Sequence, residues 1–146
     1  MVKIFIVIVF FYISLFVFYS NSLACVPPEE RQALIDFYNS TGGENWYNND
    51  NWLNGDVCSW YGIKCEESHV VEIDFSLNEL RGNIPESFGN LQNLSVLDLS
   101  DNQLICLPKS FCNLQNLSEL DLSNNQLSSI PKSFGNLQNF SFLKFR

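Results

Sequence analysis

The sequence is poor in the residues that most often build metal sites and nucleic-acid surfaces. Its 146 residues include one histidine, His69, and eight basic residues against sixteen acidic ones, which gives a formal net charge of −8. Neither a C-x-x-C nor an H-x-x-x-H pair occurs, so no zinc site is indicated. An acidic chain without a basic cluster argues against nucleic acid and anionic membrane surfaces as partners.

Side-chain patterns that would support catalysis are also missing from the sequence. No nucleophile–base constellation can be recognised, and the single histidine lies between two differently patterned parts of the chain. We therefore predict a protein that is not an enzyme, with no catalytic residue, no cofactor and no metal site.

One long apolar run is present, at residues 4–19, and it contains no charged residue. Lys3 precedes it, and Ser22 and Ala24 follow at the two positions that a signal peptidase reads. The run is shorter than the roughly 20 residues that a spanning helix needs. We predict a signal peptide at 1–24, with an uncleaved signal anchor as the alternative. Both place the rest of the chain outside the cell, either secreted or membrane-anchored.

Beyond residue 69 the chain consists of sequence repeats that closely resemble one another. The copies occupy 70–93, 94–116 and 117–139, and an incomplete fourth copy occupies 140–146. Each copy opens with apolar residues in alternation, which predicts a strand with one buried face. One copy cannot bury its apolar side alone, so we expect the copies to stack on one another.

Residues that recur in every full copy predict the inside of each coil. A buried asparagine amide donates and accepts hydrogen bonds at once, so it can tie its own turn to a neighbouring turn. The predicted asparagine ladder consists of Asn78, Asn102 and Asn125. Apolar residues at the following bend are predicted to be buried, namely Leu80, Leu104 and Leu127, then Ile84, Leu107 and Ile130. An outer aromatic spine is predicted from Phe88, Phe111 and Phe134.

The frame LxxLxLxxNxL, followed in the first copy by GxIP at Gly82, Ile84 and Pro85, resembles the plant-type leucine-rich repeat. That resemblance implies an α/β-type solenoid. Its right-handed coil would carry a parallel concave β-sheet and an irregular, short-helical convex side. Such repeats form the extracellular parts of leucine-rich repeat receptor-like proteins.

Residues 25–69 do not follow the repeat. A short helical pattern is followed by the stretch FYNSTGGENWYNNDNWLNGDVCSWYGIKC, which is similar to the amino-terminal cap of plant-type repeat proteins. The resemblance implies a helical cap with a disulfide between Cys58 and Cys65. Trp46, Trp52 and Trp60 are expected to fill the cap core, and an exposed tryptophan that binds a sugar ring is the alternative.

The other cysteines and four N-x-S/T sequons leave open questions. Cys106 and Cys112 lie six residues apart and could form a local disulfide, while Cys25 could stay a free thiol or pair with a partner chain.

In an exported eukaryotic protein the sequons are glycan acceptors where they are exposed. The predicted glycosylation sites are Asn39, Asn93, Asn116 and Asn139.

The candidate ligand-binding face is the concave surface of the stacked strands. Its outward positions also include Ser76, Ser100 and Ser123. The predicted binding residues are Glu72, Asp74, Val96, Asp98, Glu119, Asp121, Phe142 and Lys144. The column of aspartates admits a cation site as one interpretation, since hard cations bind several carboxylate oxygens. The other interpretation is that each aspartate forms local hydrogen bonds within its own coil. The apolar and basic residues among the aspartates favour a protein-binding face.

We therefore expect a non-catalytic extracellular module that recognises a protein, peptide or glycan ligand. The fourth copy stops before its asparagine and bend, which suggests a fragment of a longer receptor-like protein. A structural component that self-associates through the carboxyl-terminal coil is the alternative.

Overall fold

The computed structural model describes residues 26–137, 139 and 141–145. The predictions for the targeting segment 1–24, Cys25 and Phe140 lie outside the described residues. Within this part of the chain, the helices are α1 (Pro28–Ser40) and the 3-10 turns Gly43–Asn45, Val57–Ser59, Glu86–Asn90, Lys109–Asn113 and Lys132–Asn136. The strands are β1 (Ile63–Glu66), β2 (His69–Asp74), β3 (Arg81–Asn83), β4 (Val96–Asp98), β5 (Gln103–Cys106), β6 (Glu119–Asp121) and β7 (Phe142–Lys144).

One strand from each coil joins a continuous sheet in the order β1-β2-β4-β6-β7. Strands β2, β4, β6 and β7 run parallel, and equivalent residues of successive repeats pair with one another. The buried residues Ile73, Leu97 and Leu120 line the inner side of these strands. The predicted solenoid with a parallel concave sheet is therefore confirmed.

The sheet begins with an antiparallel hairpin that the repeat pattern does not predict. β1 pairs with β2, and Ile63 lies opposite Ile73. The two residues of the turn, Glu67 and Ser68, both have positive φ angles, of 49° and 63°. Turns of this kind normally contain asparagine or glycine, so the usual sequence signal is missing here.

A second, smaller sheet lies at the bend of the first two coils, where β3 and β5 run parallel. Gly82 in β3 has a φ of +89°, and a Cβ atom there would lie 2.9 Å from the carbonyl oxygen of Ser40. The glycine of the GxIP motif therefore allows the first coil to approach the end of α1 closely.

The cap buries its apolar residues against the first coil. Ala33, Leu34 and Phe37 of α1 are fully buried. The three tryptophans are buried as well, and each indole N–H donates to a backbone carbonyl oxygen. The acceptors are Thr41 at 3.1 Å from Trp46, Tyr61 at 3.1 Å from Trp52 and Asn54 at 2.7 Å from Trp60. The tryptophans thus belong to the cap core and are not exposed platforms.

Two further links hold the cap to the first strands. A disulfide joins Cys58 to Cys65 in β1, with their Cα atoms 5.6 Å apart, as the family resemblance implied. The buried carboxylate of Glu30 lies 2.6 Å from Nδ1 of His69 and accepts a hydrogen bond of 2.9 Å from the backbone N–H of Val70. The single histidine of the sequence, at the start of β2, therefore contacts a carboxylate of α1 and links the cap to the first coil.

The aromatic spine runs along the convex side. The rings of Phe88 and Phe111 stack with centroids 5.8 Å apart, and those of Phe111 and Phe134 stack at 6.0 Å. Phe37 of α1 continues the row at 5.1 Å from Phe88. The spine thus connects the cap core to the repeats without interruption.

Burial at the bend and at the strand ends differs from the sequence-based expectation. Ile84 and Leu107 are buried as predicted, whereas Ile130 is 42% exposed and Leu127 is only partly buried. The prediction for Ile130 is wrong because no described residue stacks over its side of the third bend. Ser100 and Ser123, which the alternation places on the outward face, are instead buried, and their hydroxyl groups donate to aspartates of their own coils.

The asparagine ladder connects each coil to the preceding one. Asn102 Oδ1 accepts hydrogen bonds from the backbone N–H groups of Asn78 and Leu80, at 3.2 and 2.9 Å. Its Nδ2 donates to the carbonyl oxygen of Phe75 at 2.7 Å and to two carbonyl oxygens of its own turn. Asn125 repeats this pattern on the second coil, and Asn78 repeats it on Asn48 of the cap.

Replacing Asn102 with alanine tests the ladder. Two buried backbone N–H groups would lose their acceptor, so we expect the free energy of unfolding to fall by about 2–5 kcal/mol. Chemical denaturation followed by circular dichroism measures this change. The exposed Gln126 makes no side-chain hydrogen bond within the described residues, and Gln126→Ala should change the stability by less than about 0.5 kcal/mol. Equal effects of the two substitutions would contradict the proposed role of Asn102.

A glycine controls how closely the first two coils approach on the convex side. A Cβ atom at Gly89 would lie 2.5 Å from the carbonyl oxygen of Ser110. Cys112 occupies the equivalent position of the second coil, and the hydrogen bonds across the two boundaries differ accordingly. Ser110 Oγ donates to Glu86 O at 2.6 Å, whereas Ser133 Oγ donates to Lys109 O at 3.3 Å. The contact between the second and third coils is therefore looser.

Gly89→Ala should lower the free energy of unfolding by about 1–3 kcal/mol, because the methyl group forces the coils apart. Gly135 is the matched control, since a Cβ atom there meets no described atom within 4 Å. Gly135→Ala should leave the stability unchanged or raise it by up to about 1 kcal/mol. Thermal and denaturant unfolding of the two variants distinguish these outcomes, and a neutral Gly89→Ala would show that the coils are not in tight contact there.

Candidate ligand-binding face

The strand register brings the eight predicted binding residues together in two columns on the outer side of the concave sheet. The first column contains Glu72, Val96, Glu119 and Phe142, and the second contains Asp74, Asp98, Asp121 and Lys144. Each residue lies directly beside its equivalent on the next strand, about 4.8 Å away. The face therefore combines carboxylates with two apolar side chains, and one of these, Phe142, is 48% exposed.

Each aspartate of the second column uses one carboxylate oxygen to hold its own coil. Oδ1 of Asp74 accepts hydrogen bonds from the backbone N–H and the hydroxyl group of Ser76, at 3.0 and 2.8 Å. Asp98 and Asp121 accept the same pair of bonds from Ser100 and Ser123. Oδ2 of Asp74 and of Asp98 accepts no hydrogen bond from a described residue. Those two oxygens are available to a donor on a ligand.

Lys144 modifies the last carboxylate of the column. Its Nζ lies 3.4 Å from Oδ2 of Asp121. Burial alone would raise the pKa of Asp121, but hydrogen bonds from Ser123 and the nearby Lys144 outweigh that effect and hold the pKa below its ordinary value. Asp121 is thus ionised and internally paired at neutral pH.

A second lysine, which the sequence interpretation missed, lies at the opposite edge of the face. Lys64 on β1 lies 3.3 Å from Oε2 of Glu72 and 3.6 Å from Oε1 of Glu66. The hydrogen bond and the charge of Glu72 raise the pKa of Lys64. The alternation of apolar and polar residues from Ile63 to Cys65 was the one sequence signal for this strand. It did not identify Lys64 as part of the face, because the hairpin that pairs β1 with β2 could not be recognised from the sequence. One carboxylate near each end of the face therefore has a lysine partner, whereas the carboxylates of Asp98 and Glu119 near its centre have no salt bridge to a described residue.

The arrangement of these carboxylates does not favour a cation site. Among the described residues, no group of three or more histidine, cysteine, aspartate or glutamate side chains is placed to hold a metal ion. The aspartates follow one another singly along the sheet, and each has one oxygen committed to a serine. Local hydrogen bonding therefore accounts for their recurrence.

The predicted glycosylation sites lie away from the two columns. Asn39, Asn116 and Asn139 are exposed and Asn93 is half-buried. The side-chain amides of Asn116 and Asn139 donate to the carbonyl oxygens of Gln92 and Gln115 in the preceding coil, at 2.8 and 2.7 Å. Their recurrence is explained by coil stacking, and glycosylation at these positions stays a prediction. Cys106 and Cys112 are both free thiols in the structure.

Comparison with known families agrees with this geometry. The family model described as "Leucine rich repeat N-terminal domain" matches residues 27–66, and the model described as "Leucine Rich Repeat" matches 69–91, 93–114 and 116–137. This chain belongs to the leucine-rich repeat family. The matched models describe the repeats of this leucine-rich repeat protein and their cap, and neither describes a catalytic domain.

Plant receptors are similar to this leucine-rich repeat chain. Phytosulfokine receptor 1 of Arabidopsis thaliana is 35% identical over 109 residues, which cover 67% of this chain and 10% of the receptor. Among solved structures, the BIR2 ectodomain from Arabidopsis thaliana is 30% identical with a TM-score of 0.67, covering 80% of this chain and 66% of that one. The ectodomain of the Arabidopsis receptor kinase HAESA, solved with an IDA peptide hormone, is 31% identical with a TM-score of 0.68.

The chain covers a small part of these receptors, namely 10% of phytosulfokine receptor 1 and 20% of the HAESA ectodomain. The match to the HAESA ectodomain includes 80% of this chain. Among the described residues, no helix combines the length and the apolar character that crossing a membrane requires.

The shifted pKa of Asp121 predicts how stability depends on pH at this face. Because the pKa is lower in the folded state, the stabilisation is complete above the ordinary aspartate pKa of about 4 and is lost as the pH falls below it. Asp121→Asn should therefore be less stable than the wild type at pH 7, and the difference should shrink at pH 3. Gln126→Ala, which removes no titratable group, should show no such change. Denaturant unfolding at both pH values measures the effect, and a gap that grows at pH 3 would contradict the assignment.

Proposed function

We propose that this leucine-rich repeat chain is a non-catalytic extracellular recognition module that binds a protein or peptide segment through its concave face. The observation that carries the proposal is the alignment of carboxylate and apolar side chains in two columns across four neighbouring strands. Such a surface offers acceptors for the N–H groups and basic side chains of a peptide. It also offers Val96 and Phe142 for the apolar side chains of the same ligand.

The likeness to receptors supports a peptide more than a glycan. The HAESA ectodomain was solved with a peptide hormone, and a receptor for phytosulfokine is among the relatives. The three tryptophans, for which the sequence left a sugar-binding role open, are buried in the cap. The ligand we propose is an extended peptide with at least one basic residue. That residue would lie beside Asp98 and Glu119, whose carboxylates form no salt bridge with a described residue.

The same face would serve as one section of a longer receptor-like ectodomain. The small fraction of each receptor that the chain covers supports this proposal. Self-association through β7 is a second candidate, and one observation favours it. Leu143 is 43% exposed, although its equivalents Leu97 and Leu120 are buried. Light scattering over a range of concentrations tests this candidate, since a monomer at all concentrations would exclude it.

A selection experiment tests the recognition proposal. The chain from residue 25 to residue 146, secreted from eukaryotic cells and immobilised, is panned against a phage-displayed library of random twelve-residue peptides. The enriched peptides are then synthesised and their affinities measured by biolayer interferometry. We expect Glu119→Lys to weaken binding by about tenfold or more, which corresponds to about 1.4 kcal/mol.

Glu29→Lys provides the matched control, because it makes the same charge change at an exposed position of α1 that is not part of the two columns. That variant should retain its affinity for the selected peptides. An equal loss of affinity in both variants would indicate a general charge effect. Peptides whose affinity is unchanged by Glu119→Lys would indicate that they bind elsewhere on the molecule. Either result would overturn the concave face as the binding surface.

A further inference from the structure

Two large apolar side chains are far more exposed than the others described, and they lie outside the concave columns. Tyr47 is 86% exposed and Leu77 is 71% exposed. Tyr47 belongs to the cap, and Leu77 follows β2 at the point where the first coil leaves the sheet. We call these two residues the Tyr47–Leu77 patch.

Hydrogen bonds hold the two parts of the patch side by side. The backbone N–H of Tyr47 donates to the carbonyl oxygen of Asn78 at 3.2 Å. The side chain of Asn78 accepts from Asn48 N at 2.7 Å and donates to Asn48 O at 2.9 Å. The first member of the asparagine ladder thus fixes the cap loop against the first coil, so the backbone of Tyr47 is held next to the residue that follows Leu77. An exposed tyrosine on a fixed backbone makes effective contacts, because its side chain has few rotatable bonds and loses little conformational entropy on binding.

The backbone at Leu77 has a conformation that leucine rarely adopts. Its φ is +54°, and the equivalent residues of the next two coils, Asp101 and Asn124, have φ values of 56° and 54°. Aspartate and asparagine tolerate this left-handed conformation much better than leucine does. Leucine therefore strains the backbone here and gains no burial in return. A strained leucine that is also highly exposed is a candidate contact residue, whereas Leu53, with a positive φ but a less exposed side chain, shows that the strain alone does not identify one.

Charges around the patch indicate the chemistry of a partner. Asp50 lies on the same cap loop as Tyr47, and Asp101 follows Ser100 of the next coil, whose carbonyl oxygen accepts a hydrogen bond from the N–H of Leu77 at 3.1 Å. Neither of these two aspartates forms a salt bridge with a described residue. An apolar centre with unpaired acids around it suits a segment that carries a basic residue next to an apolar one.

We propose that the Tyr47–Leu77 patch is a second binding surface, which docks a protein segment with an aromatic or aliphatic side chain beside a lysine or arginine. The surface lies at the junction of the cap and the first coil. It is distinct from the two concave columns, so a ligand on the columns leaves it accessible.

The substitution Leu77→Asn separates binding from folding. Asparagine, the residue of the third coil at this position, relieves the strained backbone and removes an exposed apolar side chain. We expect the melting temperature to rise by about 2–6 °C, while the binding surface loses its apolar centre. A fall in the melting temperature would show that Leu77 stabilises the coil, and it would overturn the proposal.

The binding test uses a phage-displayed library of random twelve-residue peptides. Clones that bind the wild-type chain are depleted on a Tyr47→Ser/Leu77→Asn double variant, and the remaining peptides are synthesised for affinity measurements. We expect sequences with an apolar residue next to a basic one, at least tenfold weaker binding to each single variant, and weaker binding at high salt. Leu53→Asn is the matched control, because Leu53 is also an exposed leucine with a positive φ, of 64°, and it lies outside the patch.

Peptides that bind the double variant as tightly as the wild type would overturn the patch as a binding surface. A loss of equal size in Leu53→Asn would do the same. Selected peptides without basic residues would overturn the charge assignment, and patch-dependent capture of oligosaccharides on a glycan array, without any such peptide, would overturn the protein segment as partner. The affinities of patch-dependent peptides should be unchanged by Glu119→Lys, so failure here is distinguishable from failure of the concave face.

Discussion

The structure depends on the satisfaction of backbone hydrogen bonds at the point where each coil leaves the sheet. A chain that turns away from a strand exposes N–H and carbonyl groups that cannot remain unpaired once the next coil covers them. A single asparagine per coil supplies both an acceptor and a donor there, and it reaches the preceding turn as well as its own. This connection supports the burial of the leucines, the alignment of the strands and the formation of the candidate binding face.

The same constraint explains why the cap and the repeats form one unit. Asn78 has no preceding repeat, so its amide binds the backbone of Asn48 in the cap loop instead. The cap also contributes Phe37 to the aromatic spine and Glu30 to the first residues of β2. The cap therefore replaces a missing coil at each of the three sites where coils normally contact one another.

Periodicity made the repeated parts of the molecule predictable from the sequence. The strand positions, the ladder and the spine recur every 23 or 24 residues, and a feature that recurs can be recognised without knowledge of its contacts. The eight concave residues were predictable for the same reason, since alternation along each strand determines which side chains share a face. Features that occur once were not predictable. The β1 hairpin turns on Glu67 and Ser68, residues that carry no turn signal, and the exposure of Ile130 depends on which residues cover it. Tyr47 and Leu77 could be singled out only from their exposure in the folded structure and from the φ angle of Leu77.

The antiparallel hairpin at the start of the sheet makes the array directional. β1 presents the charged side chains of Lys64 and Glu66 along an outer edge that is only four residues long, and it runs against the direction of the coils. A parallel strand from another repeat has no equivalent partner at that edge, and the short, charged strand discourages pairing between molecules. A further coil could therefore continue the sheet beyond β7 but not beyond β1. The hairpin thus places the cap at a fixed end of the array.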